Sequence, residues 1–234
     1  MKGKPIELKN PKYFGWLLTA FITLLIASNV IAGRLIDIGG LIITSAVVFF
    51  PLSYVISDIV PEVYGYGKTR KLIWYGALAN LMMVAIFFIT GLLPTPVWFE
   101  PASAYALVLG VVPRIVIASI IGYTVGNFVN AFILAKMKVW MIKWDPKHKY
   151  LFLRTIGSTI GGEGVDSLLF ITGAFLFVMP FADVMQMVLV QWLVKVLIEA
   201  VMTPVTMLVC NKLKKAEGID VVGAKSYSPF AREK

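Results

Sequence analysis

Glu163 and Asp166 stand three residues apart in GGEGVDSLLF, residues 161–170, inside a stretch that is otherwise aliphatic and glycine-rich. Downstream, QWLVKVLIEA sets Gln191, Lys195 and Glu199 at four-residue intervals. Residues three or four apart share one side of a helix. Thr159, Glu163, Asp166 and Phe170 therefore form one stripe, and Gln191, Lys195 and Glu199 a second. A weaker stripe of Tyr123, Asn127 and Asn130 comes from YTVGNFVNA, and single amides stand at Asn29 and Asn80. In an apolar setting such groups can pair to hold helices together, carry a proton, or line a polar cavity that receives a solute. Two acids can also form an aspartyl-type dyad, but three-residue spacing on one helix is a weak basis for it. No buried His or suitably placed Cys supplies a nucleophile–base pair, so an intramembrane enzyme is disfavoured.

Magnitudes favour the cavity. A charged side chain at the centre of a membrane helix costs about 3 kcal/mol on insertion scales. Glu163, Asp166, Lys195 and Glu199, isolated and ionised, would together cost on the order of 10 kcal/mol. That is comparable with the whole net stability of a domain, roughly 5–15 kcal/mol. Some of them must pair, be protonated or face water. A Lys195–Glu199 pair is the plain structural solution on the last helix. Two neighbouring acids repel and want donors, so Glu163 and Asp166 are read as lining a polar chamber. Gly157, Gly161, Gly162 and Gly164 around them permit close approach of a neighbouring helix or a ligand, or an interrupted helix at binding depth. Pro204 is a place where the last helix can bend.

The elements that must position these groups follow from composition. Of 234 residues, 59% are hydrophobic and only 15% charged, with a mean hydropathy of +0.82. An ordinary soluble domain is excluded. Six apolar stretches, near 14–33, 40–60, 72–93, 111–135, 155–180 and 187–210, are each long enough for a hydrocarbon core that takes about 20 helical residues. The expected fold is an all-α polytopic membrane protein of six transmembrane helices. Residues 1–12 form an N-terminal tail, 13–212 the membrane domain and 213–234 a C-terminal tail. The first apolar run exceeds a signal-peptide core of about 7–15 residues and reads as a retained helix.

The net charge of +9 is a matter of topology. All but three of the 22 Lys and Arg residues fall in the N-terminal tail, the second-to-third and fourth-to-fifth connections, and the C-terminal tail. The opposite side holds mostly acids, Asp37, Glu100 and Asp183. The positive-inside rule then puts both termini in the cytoplasm, and a nucleic-acid partner is not required. The three exceptions are Lys195, inside the last span, and Arg34 and Arg114, near outer helix ends, where a side chain can snorkel or bind. One cysteine, Cys210, excludes an internal disulfide. His148 in WDPKHK reads as a solvated loop residue, and SYSPFAREK as a polar, mobile tail. PTPVWFEPASAYALVLG, 94–110, reads as an aromatic belt or a surface lid. In SDIVPEVYGYGKTRK, 57–71, Asp58 and Glu62 stand opposite Arg70 and Lys71 as a charge-paired turn.

Three motifs in order, SDIVPEVYGYGKTRKLIW, RTIGSTIGGEGVDSLLF and LVKVLIEAVMTPVTMLV, resemble the queuosine precursor transporter family, also called vitamin-uptake-transporter-like. The resemblance runs from about residue 14 to 215. It implies a six-helix inner-membrane importer of deazaguanine precursors of the tRNA base queuosine, or of archaeosine. Asp58, Glu62, Tyr64, Gly65 and Arg70 match the first motif; Arg154, Ser158, Asp166 and Phe170 the second; Lys195, Glu199 and Pro204 the third. A guanine-like edge offers two adjacent N–H donors and a carbonyl, which suits a carboxylate and a Lys, Arg or Asn donor. Aromatic rings such as Phe170 or Tyr123 can stack on the base. The expected substrate-binding residues are Glu163, Asp166, Lys195, Glu199, Asn29, Asn127, Phe170, Tyr123 and Gln191. Asp58, Glu62, Tyr64, Arg70, Arg154 and Arg114 are assigned to gating or structure. No cofactor or metal is expected; the expected partners are the solute, the bilayer and, in a homo-oligomer, a second copy of the chain. The alternative is the substrate-binding subunit of an energy-coupling-factor importer, against which stands the lack of an AxxxA pair between residues 14 and 33.

Overall fold

The computed structural model describes residues 11–32, 34–38, 41–96, 103–104, 108–109, 112–142, 150–177, 180–223 and 226–230. Most of the 94–110 segment and the loop holding His148 lie outside them. The described residues contain α1 (Phe14–Ile31), α2 (Phe50–Val63), α3 (Gly65–Gly91), α4 (Val112–Met141), α5 (Leu151–Phe175) and α6 (Phe181–Glu217). Between α1 and α2, β1 (Leu35–Ile38) pairs antiparallel with β2 (Leu41–Thr44), and a 3-10 turn follows at Ser45–Val48.

The bundle is all-helical, as expected; the short hairpin corrects only the second predicted span. LIDI and LIIT are β-favouring runs separated in sequence by two glycines, the composition of a hairpin. Residues 41–48 are consequently not α-helical, and α2 has only 14 residues, about 21 Å at 1.5 Å per residue. Four helices are long and apolar enough to cross a membrane: α1, α3, α4 from Arg114, and α6. The 25-residue α5 is long enough but carries Arg154, Glu163 and Asp166, which lower its hydropathy.

Burial is inverted relative to a soluble protein. Asp58, Glu62, Lys138 and Arg154 are at most 1% exposed, while Leu197 and Val201 on α6 are 64% and 75% exposed. A further apolar skin runs down α3 through Leu78, Leu81, Met82 and Ile86. This is what hydrocarbon solvent selects: apolar surface outward, polar groups satisfied within.

Helix α2 is the centre of the bundle. It packs against α1, α3, α4 and α6, and every residue except Leu52 is buried. Helices α4 and α5 approach most closely: a Cβ on Gly162 would lie 2.5 Å from Asn130 Cβ, and one on Gly126 would lie 2.6 Å from Asp166 Cβ. Both glycines serve helix contact. Helix α5 runs unbroken through them, and α6 continues through Pro204, so the interrupted helix does not occur.

The two chain ends meet. The backbone N–H groups of Lys12 and Tyr13 donate to the Glu217 carboxylate at 3.0 and 2.8 Å. The starts of α1, α3 and α5 and the ends of α2, α4 and α6 thus share one end of the bundle, called the terminal end below. The C-terminal segment folds back across it, which corrects the expectation of a mobile tail. Val221 N–H donates to the Val63 carbonyl at 3.3 Å. Trp74 donates to the Pro229 carbonyl at 3.0 Å, and the Tyr227 ring packs on Tyr66 and Phe132 with centroids 5.4 and 5.7 Å apart.

Candidate functional site

The site starts from a period of four on α2. Phe50, Tyr54, Asp58 and Glu62 fall on one side of this helix, and all four are buried. Together they meet three successive layers of the bundle interior.

In the first layer, Lys195 of α6 bonds Asp166 Oδ2 of α5. The Tyr54 hydroxyl donates to the same oxygen at 3.1 Å. Glu163 Oε2 lies 3.2 Å from the Lys195 ammonium, so one base serves two acids. The ammonium also sits 5.4 Å from the ring centroids of both Phe50 and Tyr54, within cation–π range. Above this knot is a cavity with about 380 Å³ of empty space, its open mouth included. Its walls are Asn29, Ala32, Ala46, Val47, Phe50, Ser119, Asp166, Phe170, Gln191 and Lys195. All come from the half of the bundle away from the terminal end. Ser119 donates to Asn29 Oδ1 at 2.7 Å, and Asn29 donates to Asn80 at 2.5 Å. Gln191 Oε1 is buried without a hydrogen-bond partner.

One layer deeper, Asn130 of α4 donates to Asp58 Oδ1 at 2.7 Å, and the Asp58 and Glu199 carboxyls face each other within hydrogen-bond reach. At the terminal end Glu62 gathers three cations: Arg154 at 3.0 Å, Lys214 at 2.5 Å and Lys138 at 3.6 Å. Lys138 also binds Asp220 at 2.6 Å and the Val221 carbonyl at 2.8 Å, which ties the tail to this cluster. Tyr64 donates to Glu217 at 2.8 Å; burial, then this carboxylate, hold its phenol well above the usual range.

Five expected binding residues converge on the cavity: Asn29, Asp166, Phe170, Gln191 and Lys195. Glu163 stands behind them on Lys195, and Glu199 lies deeper. Tyr123 and Asn127 do not line the cavity. The Tyr123 hydroxyl donates to the Ile73 carbonyl at 3.1 Å, and Asn127 donates to the Tyr123 carbonyl at 2.8 Å. The Lys195–Glu199 pair does not form, because Lys195 reaches across to α5. Asp58 and Glu62 are not a surface turn with Arg70 and Lys71 either. They are inside the bundle, and Arg70 donates to the Ser228 carbonyl at 3.0 Å. Arg114 binds the Gly173 carbonyl at 3.0 Å and that of Leu176, satisfying the open C-terminal end of α5. The sequence patterns do not single out Phe50, Tyr54, Ser119 or Lys138; for the first two, the four-residue spacing with Asp58 is the available signal.

This arrangement offers carboxylate and amide acceptors, ammonium and amide donors, and two aromatic faces around one open-mouthed cavity. These groups match chemically a flat solute with a polar edge. A family model described as "Putative vitamin uptake transporter" matches residues 44–209. The chain belongs to this family. The match takes in α2 to α5 and most of α6, and with them every acid and base of the three layers except Lys214, Glu217 and Asp220. A relative from Bacillus subtilis (strain 168), named "Probable queuosine precursor transporter", is 24% identical over 186 residues, 76% of each chain. No solved structure matches. As a member of a transporter family with four membrane-length apolar helices, the chain is a multi-pass membrane protein.

Proposed function

We propose that this protein imports a 7-deazaguanine precursor of queuosine or archaeosine through the cavity above Lys195. Asp166 accepts from the N–H donors of the guanine-like edge. The orphaned Gln191 carbonyl takes a further donor, and the Lys195 ammonium or the Asn29 amide serves the base carbonyl. Phe50 and Phe170 supply stacking faces. The observation that carries this reading is the joining of Asp166, Lys195 and the unpartnered Gln191 Oε1 at one cavity ringed by aromatic side chains. The Bacillus relative, by its name a queuosine precursor transporter, supports the solute class.

Six spans with both termini in the cytoplasm complete the reading. In this arrangement α2 and the hairpin before it together make the second crossing, and α5 is admitted because its charges face inward. The basic terminal end, with Lys138, Arg154, Lys212, Lys214 and Lys215, is the cytoplasmic side by the positive-inside rule. The cavity then opens toward the outside of the inner membrane, and the Glu62 cluster with the tail closes the way in. Import requires this closure to part while the mouth shuts.

A panel of deazaguanines, guanine and vitamins, tested by thermal shift on detergent-purified protein, checks the solute class, since a ligand stabilises the state it binds. Deazaguanine precursors raise the melting temperature in a concentration-dependent way and vitamins do not. A shift produced by a vitamin alone would assign the cavity to another solute.

A further inference from the structure

The Asp58–Glu199 contact is not explained by holding a base. Both residues are 1% exposed. Neither forms an ion pair with any base among the described residues. Asp58 has one donor, Asn130 on α4. Asp58 Oδ2 and both Glu199 carboxyl oxygens lack a hydrogen-bond partner of the ordinary kind.

The surroundings add negative charge rather than relieve it. Glu62 lies one turn along α2 from Asp58, and the charge of Glu163 on α5 is felt at Glu199. The nearest bases are engaged by other acids: Lys195 by Asp166 and Glu163, and Arg154, Lys138 and Lys214 around Glu62. Two facing carboxylates in a low-dielectric site cannot both stay ionised. One proton between them removes the repulsion and joins Asp58 Oδ2 to a Glu199 oxygen by a hydrogen bond.

We propose that Asp58 and Glu199 form a proton-binding pair, distinct from the solute cavity, that couples import to proton entry. The O–H of one carboxylic acid donates to the carboxylate of the other. Loss of that proton to water leaves two facing carboxylates, whose mutual repulsion is relieved by taking up another proton. The proton leaves to the cytoplasmic side when α2 and α6 separate toward the terminal end, and the pair is recharged from the cavity side once the mouth has reopened, so that one proton enters in each cycle. The pair's position between the Lys195 knot and the Glu62 cluster suits this order, because α2 and α6, which both line the cavity, each carry one half of it. The coupling half of the proposal rests on the import reading; proton binding does not.

Two measurements separate the halves. Infrared spectra of the reconstituted protein at neutral pH show the carbonyl band of a protonated carboxylic acid, and both Asp58→Asn and Glu199→Gln remove it. Absence of the band in the wild type, or its persistence in both variants, overturns proton binding. In proteoliposomes, an inward proton gradient makes wild-type protein accumulate deazaguanine precursor several-fold above the outside concentration. Glu199→Gln loses this accumulation but keeps solute exchange between equal pools, which also shows that the variant is folded. Accumulation driven by sodium alone, or gradient-driven accumulation by Glu199→Gln, overturns the coupling. Failure of exchange in the wild type with every deazaguanine counts against the solute reading and leaves the infrared result to decide the pair.

Discussion

Glu62 and Arg154 are 92 residues apart in the chain and meet at 3.0 Å, the glutamate carboxyl 1% exposed and the guanidinium fully buried. This contact joins the end of α2 to the start of α5, at the place where Lys138 and Lys214 also converge. Three cations around one acid give a lock that depends on that acid. Breaking a buried pair by removing one partner typically costs about 3–5 kcal/mol, since the remaining charge is left uncompensated. Glu62→Gln is therefore expected to lower the melting temperature of the purified protein strongly. Arg154→Met, which leaves Glu62 two lysines, lowers it less. Equal melting of Glu62→Gln and wild type would remove the lock from the account.

Gly65 turns the chain from α2 into α3 with φ of +79°, and a Cβ there would lie 2.5 Å from Val221 Cγ1 of the returning tail. Gly65→Ala has two penalties: a left-handed backbone, which costs a non-glycine residue about 1–2 kcal/mol, and a collision with the tail. Limited proteolysis should release the segment after Glu217 faster in Gly65→Ala. Adding Val221→Ala relieves the collision only and restores protection in part. Complete restoration, or none, would show that one of the two penalties is missing.

Phe50 and Tyr123 are both buried aromatics, but only Phe50 lines the cavity. Removing a stacking ring costs about 1–3 kcal/mol per base, so Phe50→Ala should weaken precursor binding on the order of tenfold or more. Tyr123→Phe deletes only the bond to the Ile73 carbonyl, worth about 1 kcal/mol of stability, and leaves the dissociation constant unchanged. Equilibrium binding on the two variants, with melting curves alongside, reads both effects. The reverse ranking would move the solute toward α3.

The stripes on the last two helices were legible because a period of three or four is local. Glu163 with Asp166, and Gln191 with Lys195, needed no knowledge of their neighbours. What a stripe does not state is which helix it faces. Tyr123, Asn127 and Asn130 do lie along one helix, yet Tyr123 points to α3 and Asn130 to α2. Lys195 found an acid 29 residues back, on α5, in preference to Glu199 on its own helix. The partners of Asp58 and Glu62 come from α4, α5 and α6, between 72 and 152 residues away. A charged turn was the nearest solution in sequence, and only the central burial of α2 makes the distant one possible. The hairpin before α2 could have been read from LIDIGGLIIT, but its apolar residues also continue a hydropathy run.

Asp166 carries the central claim, since it joins the cavity wall, Tyr54 and Lys195 at one carboxylate. Binding of a radiolabelled deazaguanine precursor to purified wild type and Asp166→Asn, matched for folding by melting curve, tests it most directly. The expected result is saturable binding by the wild type, displaced by unlabelled precursor, and its loss in Asp166→Asn. Equal affinity of the two proteins, or a folded wild type that binds no deazaguanine, would contradict the account.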